Sequence, residues 1–181
     1  MRTILPEEKN PALRKTAESI RIADIKSKYI QGLIKEMKAL LAREEYGVAL
    51  AAPQVGEAVR LFIVSGRALA RGARNAPDEG SKKADVSAPL PDQVYINPEM
   101  TKVSRAKKEK HEGCLSIRGF WGTVPRAEKA TIRAYDEHGK RFTRGASDFL
   151  AHIFQHEMDH LEGVLYTDKA TAVYKENERD E

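Results

Sequence analysis

HIFQHEMDHLEG, residues 152–163, sets three histidines four residues apart, with one acid wedged between the last two. On an α-helix, positions four apart stack on one face with Cβ atoms roughly 5–6 Å apart, so His152, His156 and His160 form a column. Glu157 points about 100° round from His156, within reach of an atom held between the histidines. Two imidazoles on one metal ion, with a carboxylate beside the water it binds, are the physical content of His-Glu-x-x-His. The flanks support a helix: Ser147 offers an N-cap, Gly163 a C-terminal stop, and no proline intervenes. Phe149, Leu150, Ile153, Phe154, Met158 and Leu161 surround it almost completely. A helix apolar on nearly every side belongs inside a domain, and the rest of the chain must wrap it.

Two histidines do not complete a catalytic site, which usually takes three protein ligands and leaves one position for water. The single cysteine, Cys114, lies in HEGCLSIRG (111–119). A lone cysteine is most often a small buried apolar residue. Here Gly113, with polar Glu112 and Ser116, marks a turn or strand end that presents the sulfur, and a two-histidine helix makes Cys114 the leading third ligand. Glu162 and Asp168 are its acidic rivals. A third segment, YGVALAAPQVG (46–56), exposes its backbone ahead of the apolar run from Arg60 to Val64. Its composition also fits an ordinary helix-to-strand connection. Gln54 is an amide able to donate to a developing oxyanion, as any glutamine is.

Taken together, GVALAAPQ (47–54), EGCLS (112–116) and QHEMDH (155–160) resemble, in order and separation, the three signature motifs of the peptide deformylases. The likeness extends to ILPEEKNPALRKTAESI (4–20) and VPRAEKATIRAYDEHGK (124–140). It implies an α+β fold, antiparallel sheets packed around the buried helix that carries HEMDH. It also implies Cys114, His156 and His160 as metal ligands, Glu157 as general base and acid, and Gln54 with the Leu115 N–H as the oxyanion holders. Gly47 would shape the substrate cleft, with Val48, Ala49 and His152 lining the side-chain pocket. His152 could equally be a buried histidine bonded to backbone or, less favourably, a fourth ligand. The implied reaction removes the N-formyl group from the formyl-methionine of newly made peptides and releases formate. Glu157 would take a proton from water made acidic by the metal and pass it to the leaving amine. One divalent ion is expected. Thiolate and imidazole donors suit zinc or iron(II); the resemblance favours iron(II), with zinc or nickel as substitutes. Ala49, Arg118 and His152 depart from the family pattern, which usually has glycine, proline and an apolar residue there. A zinc endopeptidase built on the same helix motif is the rival reading, and it requires neither the Cys114 nor the Gln54 segment.

Bulk properties agree with one soluble domain over residues 1–181. The chain is 41% hydrophobic and 32% charged, with no apolar run approaching a membrane span. One cysteine and no export signal lead to the expectation of a cytoplasmic protein. A net charge of +4 suits brief visits to a ribosome, while no basic stripe with interleaved aromatics marks a nucleic-acid site. Residues 23–45 show helical periodicity (Ile25, Tyr29, Leu33, Met37, Leu40, Leu41), and residues 9–18 look like a loop leading into a short helix. Strands are expected near 59–65, 93–97, 100–105, 123–126 and 129–136, with a turn at 136–139 that exposes His138. His111 is given no role. Residues 66–92, rich in Ala, Gly, Ser and Pro, read as a mobile insertion, and 171–181 as a polar tail.

Overall fold

A computed structural model describes residues 2–74 and 90–176. Its centre is β2, Leu61–Val64, whose four residues are all buried. A strand covered on both faces needs no polar alternation. Antiparallel pairing extends it into a five-stranded sheet, β1-β2-β3-β6-β7. Here β1 is Ala49–Ala51, β3 Gln93–Val103, β6 Lys129–Tyr135 and β7 Arg141–Ser147. The expected strands 93–97 and 100–105 are one strand, interrupted by a register shift between Ile96 and Glu99.

Each face of this sheet receives a helix. Leu50, Leu61, Ile63, Val94 and Ile96 pack against α1, Lys28–Arg43, through Ile30, Leu33, Ile34, Met37 and Leu41. The helix starts five residues later than its periodicity predicts, because Ser27 accepts a hydrogen bond from the Ile30 N–H and caps it. Tyr29, counted with the apolar stripe, is exposed and bonds Glu57 instead. On the opposite face, Phe62, Val64, Tyr95 and Ile132 pack against α3, Asp148–Leu161, through Leu150, Ile153, Phe154 and Leu161. Phe62 stacks on Tyr95 at 4.6 Å, and Phe154 meets Tyr95 edge-on at 5.3 Å. The α3 helix ends at Gly163, in the left-handed region at φ +72°, where a Cβ would sit 2.9 Å from the Arg14 carbonyl carbon. Only glycine fits both demands.

A second antiparallel sheet, β4-β5-β8, covers the remaining side of α3. It comprises β4 Lys107–Cys114, β5 Ile117–Ala127 and β8 Ala172–Lys175. The fold is therefore α+β, antiparallel sheets around the buried helix that carries HEMDH, as expected. The Asp136–Gly139 turn is present, its Asp136 side chain accepting from the His138 and Lys140 N–H groups, and His138 is exposed.

Two expectations about organisation are overturned. Residues 66–74 are not loose insertion but helix α2, Gly66–Arg74. Ala68 and Leu69 are buried in the α3 core, and Asp92 accepts from the Gly66 N–H at 2.9 Å. Residues 75–89 of that segment lie outside the described residues. Nor is 171–181 wholly a tail, since β8 pairs with β5 from Phe120↔Lys175 to Thr123↔Ala172; residues 177–181 are likewise not described.

Candidate metal centre

The column predicted on α3 forms, and its members face different partners. Ligand-type atoms of Cys114, His156 and His160 lie within 4.8 Å of one another. Cys114 Sγ is 3.4 Å from His160 Nε2, and the two imidazoles meet nearly at right angles, 4.8 Å between ring centres. Cys114 closes β4 opposite Ile117, so Leu115 and Ser116 form the tight turn into β5. His160 is 1% exposed and Glu157 3%. Two atoms here, Glu157 Oε2 and His160 Nδ1, are buried without a hydrogen-bond partner among the described residues. Buried polar atoms seldom stay unpaired, so each calls for a reason.

Burial and neighbouring charges shift Glu157 and both imidazoles away from their ordinary values. Burial pushes Glu157 up to about 7, with the Glu112 and Asp159 charges adding to the rise and His156 opposing it. Burial also disfavours charge on both imidazoles. At His156 the contacts with Cys114 and Glu112 outweigh it and hold the pKa well above the ordinary value. At His160 burial, helped by the neighbouring His156 and Arg126 charges, holds the pKa well below the ordinary value, and the Glu112 charge offsets it only in part. Three donor-type side chains, those of Cys114, His156 and His160, thus converge beside the buried Glu157 carboxyl. A divalent ion with a thiolate and two imidazoles fits this arrangement. Metal–ligand bonds of roughly 2.0–2.3 Å need the three donors to close in by only about 1 Å.

Behind the histidines lies a buried polar network that sequence reading missed. Burial opposes the Glu112 charge, yet hydrogen bonds from His152, His156 and Arg126 hold its carboxyl well below the usual carboxylate range. His156 Nδ1 approaches Glu112 Oε2 at 2.7 Å, and His152 Nε2 approaches Oε1 at 3.0 Å. Arg126 grips both oxygens through Nε and Nη2. Its Nη1 reaches Asp159 at 2.7 Å, and Lys169 takes the other Asp159 oxygen. Among the described residues His152 shows no bond to backbone and is not grouped with the three donors; its imidazole faces a carboxylate. A glutamate two residues before the cysteine, on the strand's inward face, was the available signal. Of the rival ligands, Glu162 pairs with Arg60, while Asp168 is taken by Arg14 and the Leu165 N–H.

The first motif delivers Gln54 to the same point. Its Oε1 accepts the Ala51 N–H at 2.8 Å, which forces the NH₂ end outward, 3.5 Å from both Cys114 Sγ and Ser116 Oγ. The N-terminal segment binds the motifs together. Leu5 N–H donates to Gln54 O, Glu7 N–H to Ser116 O, and the buried Asn10 amide to Pro53 O at 2.8 Å. Gly47 is packed so closely that a Cβ would lie 2.8 Å from Glu44 Cβ. Arg67, from α2, donates to the carbonyls of Glu44, Glu45 and Gly47. Ala49 is buried in the α3 core with Val48 packed beside it. The depression beside Leu115, lined also by Ile4, Ser116, Ile117, Arg118 and Phe120, includes none of Gly47, Val48, Ala49 and His152. Arg118 reaches across to Glu44 at 2.8 Å.

Comparison with known proteins gives a consistent result. A family model described as polypeptide deformylase matches residues 1–176. A peptide deformylase of Desulforudis audaxviator is 34% identical over 170 residues, 93% of this chain and 94% of that protein. Peptide deformylase 2 of a Nostoc species is 37% identical over 160 residues, 88% and 81% of the two chains. Among solved structures, the Synechococcus elongatus peptide deformylase in complex with actinonin aligns with a TM-score of 0.73 at 30% identity, covering 93% of this chain and 78% of that one. The Legionella pneumophila peptide deformylase aligns at 0.72 and 33%, covering 94% and 86%.

Proposed function

The chain belongs to the peptide deformylase family, and from that premise we propose which of its residues carry the reaction. Peptide deformylases are metal-dependent hydrolases that remove the formyl group from N-formylated nascent peptides, and this is the activity of the chain. We assign Cys114, His156 and His160 as the ligands of one divalent ion. The observation that carries the assignment is the convergence of their donor atoms within 4.8 Å, beside a buried carboxylate with one oxygen unpaired. When bound, the ion supplies Lewis-acid chemistry, acidifying water and polarising the formyl oxygen.

The remaining steps belong to side chains. Glu157, its pKa raised to about 7, takes a proton from the attacking water and returns it to the departing amine nitrogen. Near neutrality such a carboxyl can do both. The water oxygen bonds to the formyl carbon, the C–N bond breaks, and formate and a free amine leave. Gln54 Nε2, oriented by the Ala51 N–H, and the Leu115 N–H donate to the oxyanion. Gly47, Val48 and Ala49 supply the wall beside the substrate. We further propose iron(II) as the native ion, with zinc or nickel able to replace it, and a cytoplasmic enzyme meeting nascent chains near the ribosome. No helix among the described residues is long and apolar enough to cross a membrane.

The test uses protein purified without oxygen. Metal analysis should find about one ion per chain, and formyl-Met-Ala-Ser should release formate while casein stays intact. Casein cleavage without formate release would return the endopeptidase reading. That reading leaves unexplained why Gln54 and Cys114 meet the histidines at one point.

A further inference from the structure

Glu112 is saturated. An ionised carboxylate offers about four lone-pair positions, and four nitrogens stand within 3.0 Å of the Glu112 oxygens. Oε1 accepts from Arg126 Nε and has His152 Nε2 3.0 Å away, and Oε2 faces Arg126 Nη2 at 3.0 Å and His156 Nδ1 at 2.7 Å. The Glu112 side chain is fully buried, so no solvent can fill a lost contact. Three of the four donors would stay if His152 were apolar, yet Arg126 alone does not fix the carboxylate. Its guanidinium is drawn also toward Asp159, which is itself paired with Lys169. His152 and His156 stand one turn apart on α3, so their two contacts pin the two oxygens of one β4 residue to a single helix face.

We propose that His152 is a positioning residue for the metal centre. Its Nε2–H fills the last acceptor site of Glu112 and holds the carboxylate plane, so that Oε2 meets His156 Nδ1 squarely. The His156 tautomer and ring orientation are thereby fixed, leaving His156 Nε2 for the metal. A ligating imidazole handing its second N–H to a carboxylate is the general pattern; what this chain adds is a second imidazole that orients the carboxylate. The inference rests on the reading of Cys114, His156 and His160 as ligands.

The experiment uses metal-stripped full-length protein reloaded with cobalt(II) against a competing chelator, following the thiolate-to-cobalt absorption and the visible bands. His152→Leu, which has no donor, should weaken cobalt binding by at least ~10-fold, the lower end for losing an outer-shell partner, and shift the visible bands. His152→Gln, which keeps an N–H of similar reach, should recover most of the affinity. The melting temperatures of the metal-free proteins report whether each variant folds. A His152→Leu affinity within ~2-fold of the parent, or a folded His152→Gln no better than His152→Leu, overturns the positioning role. The ligand reading is tested separately by Cys114→Ser. If that variant keeps the thiolate-to-cobalt band, the ligand set is wrong whatever His152 does.

Discussion

At the scale of single residues, the division of labour on α3 is set by which neighbour each side chain meets. Glu157 has an oxygen with no hydrogen-bond partner among the described residues, whereas His156 and His152 face Glu112. Glu157→Gln keeps the shape and removes the proton acceptor. Metal content should therefore stay at about one per chain, while formate release falls at least ~100-fold. A variant that loses its metal, or turns over near the parent rate, contradicts the assigned role. The histidine column with Glu157 beside it was legible because four residues on a helix means one face, whereas Cys114 and Gln54 were singled out beside it chiefly by the family resemblance. The partner of His152 was not legible. Glu112 is 40 positions upstream, and only the docking of β4 on α3 brings them together. The expectation that His152 lines the side-chain pocket followed from treating α3 alone, without the strand that faces it.

At the scale of elements, what was misread shares a cause. Strand β4 is mostly charged, with Lys107, Lys108, Glu109, Lys110 and Glu112, and β7 has no fully buried residue, so neither shows the apolar alternation by which strands are recognised. Helix α2 buries little more than Ala68 and Leu69, and its Gly and Arg content resembles a loop. The buried strands β2 and β6 and the amphipathic α1 were recognisable because each presents a whole face to the core. Leu69 nonetheless lies 3% exposed in the α3 cluster. Leu69→Ala should cost roughly 2–5 kcal/mol, as other large-to-small core changes do, read as a lowered denaturant midpoint at unchanged m-value. A loss under ~0.5 kcal/mol, the range of surface changes, would mean that α2 is dispensable to the core. Because Arg67 on the same helix holds the carbonyls around Gly47, the destabilised protein should also bind substrate less well.

At the scale of the whole molecule, the N-terminal segment acts as a strap between the first and second motifs. Asn10 is 2% exposed, donates to Pro53 O and accepts from Ala12 N–H. Asn10→Ala leaves the buried Pro53 carbonyl without this partner, at a cost on the order of 2 kcal/mol. It should also lower kcat, since Pro53 adjoins Gln54. Calorimetry and steady-state kinetics together check this, and an unchanged melting curve excludes the strap. The strap was visible only as family likeness, because nothing in residues 4–20 announces where their backbone groups bond. The spacing of the donors carries a further consequence. Cys114 and His160 are 46 residues apart, so Cys114, His156 and His160 come together only when β4 has docked on α3. An ion that binds only the finished arrangement is thermodynamically linked to folding. At a free concentration 100 times its dissociation constant it adds about 2.7 kcal/mol to the stability of the whole chain. The melting temperature should climb with the logarithm of free metal and drop on dialysis against a chelator, and a melting temperature indifferent to both would mean that the unfolded chain binds the ion equally well or that the trio does not bind it at all.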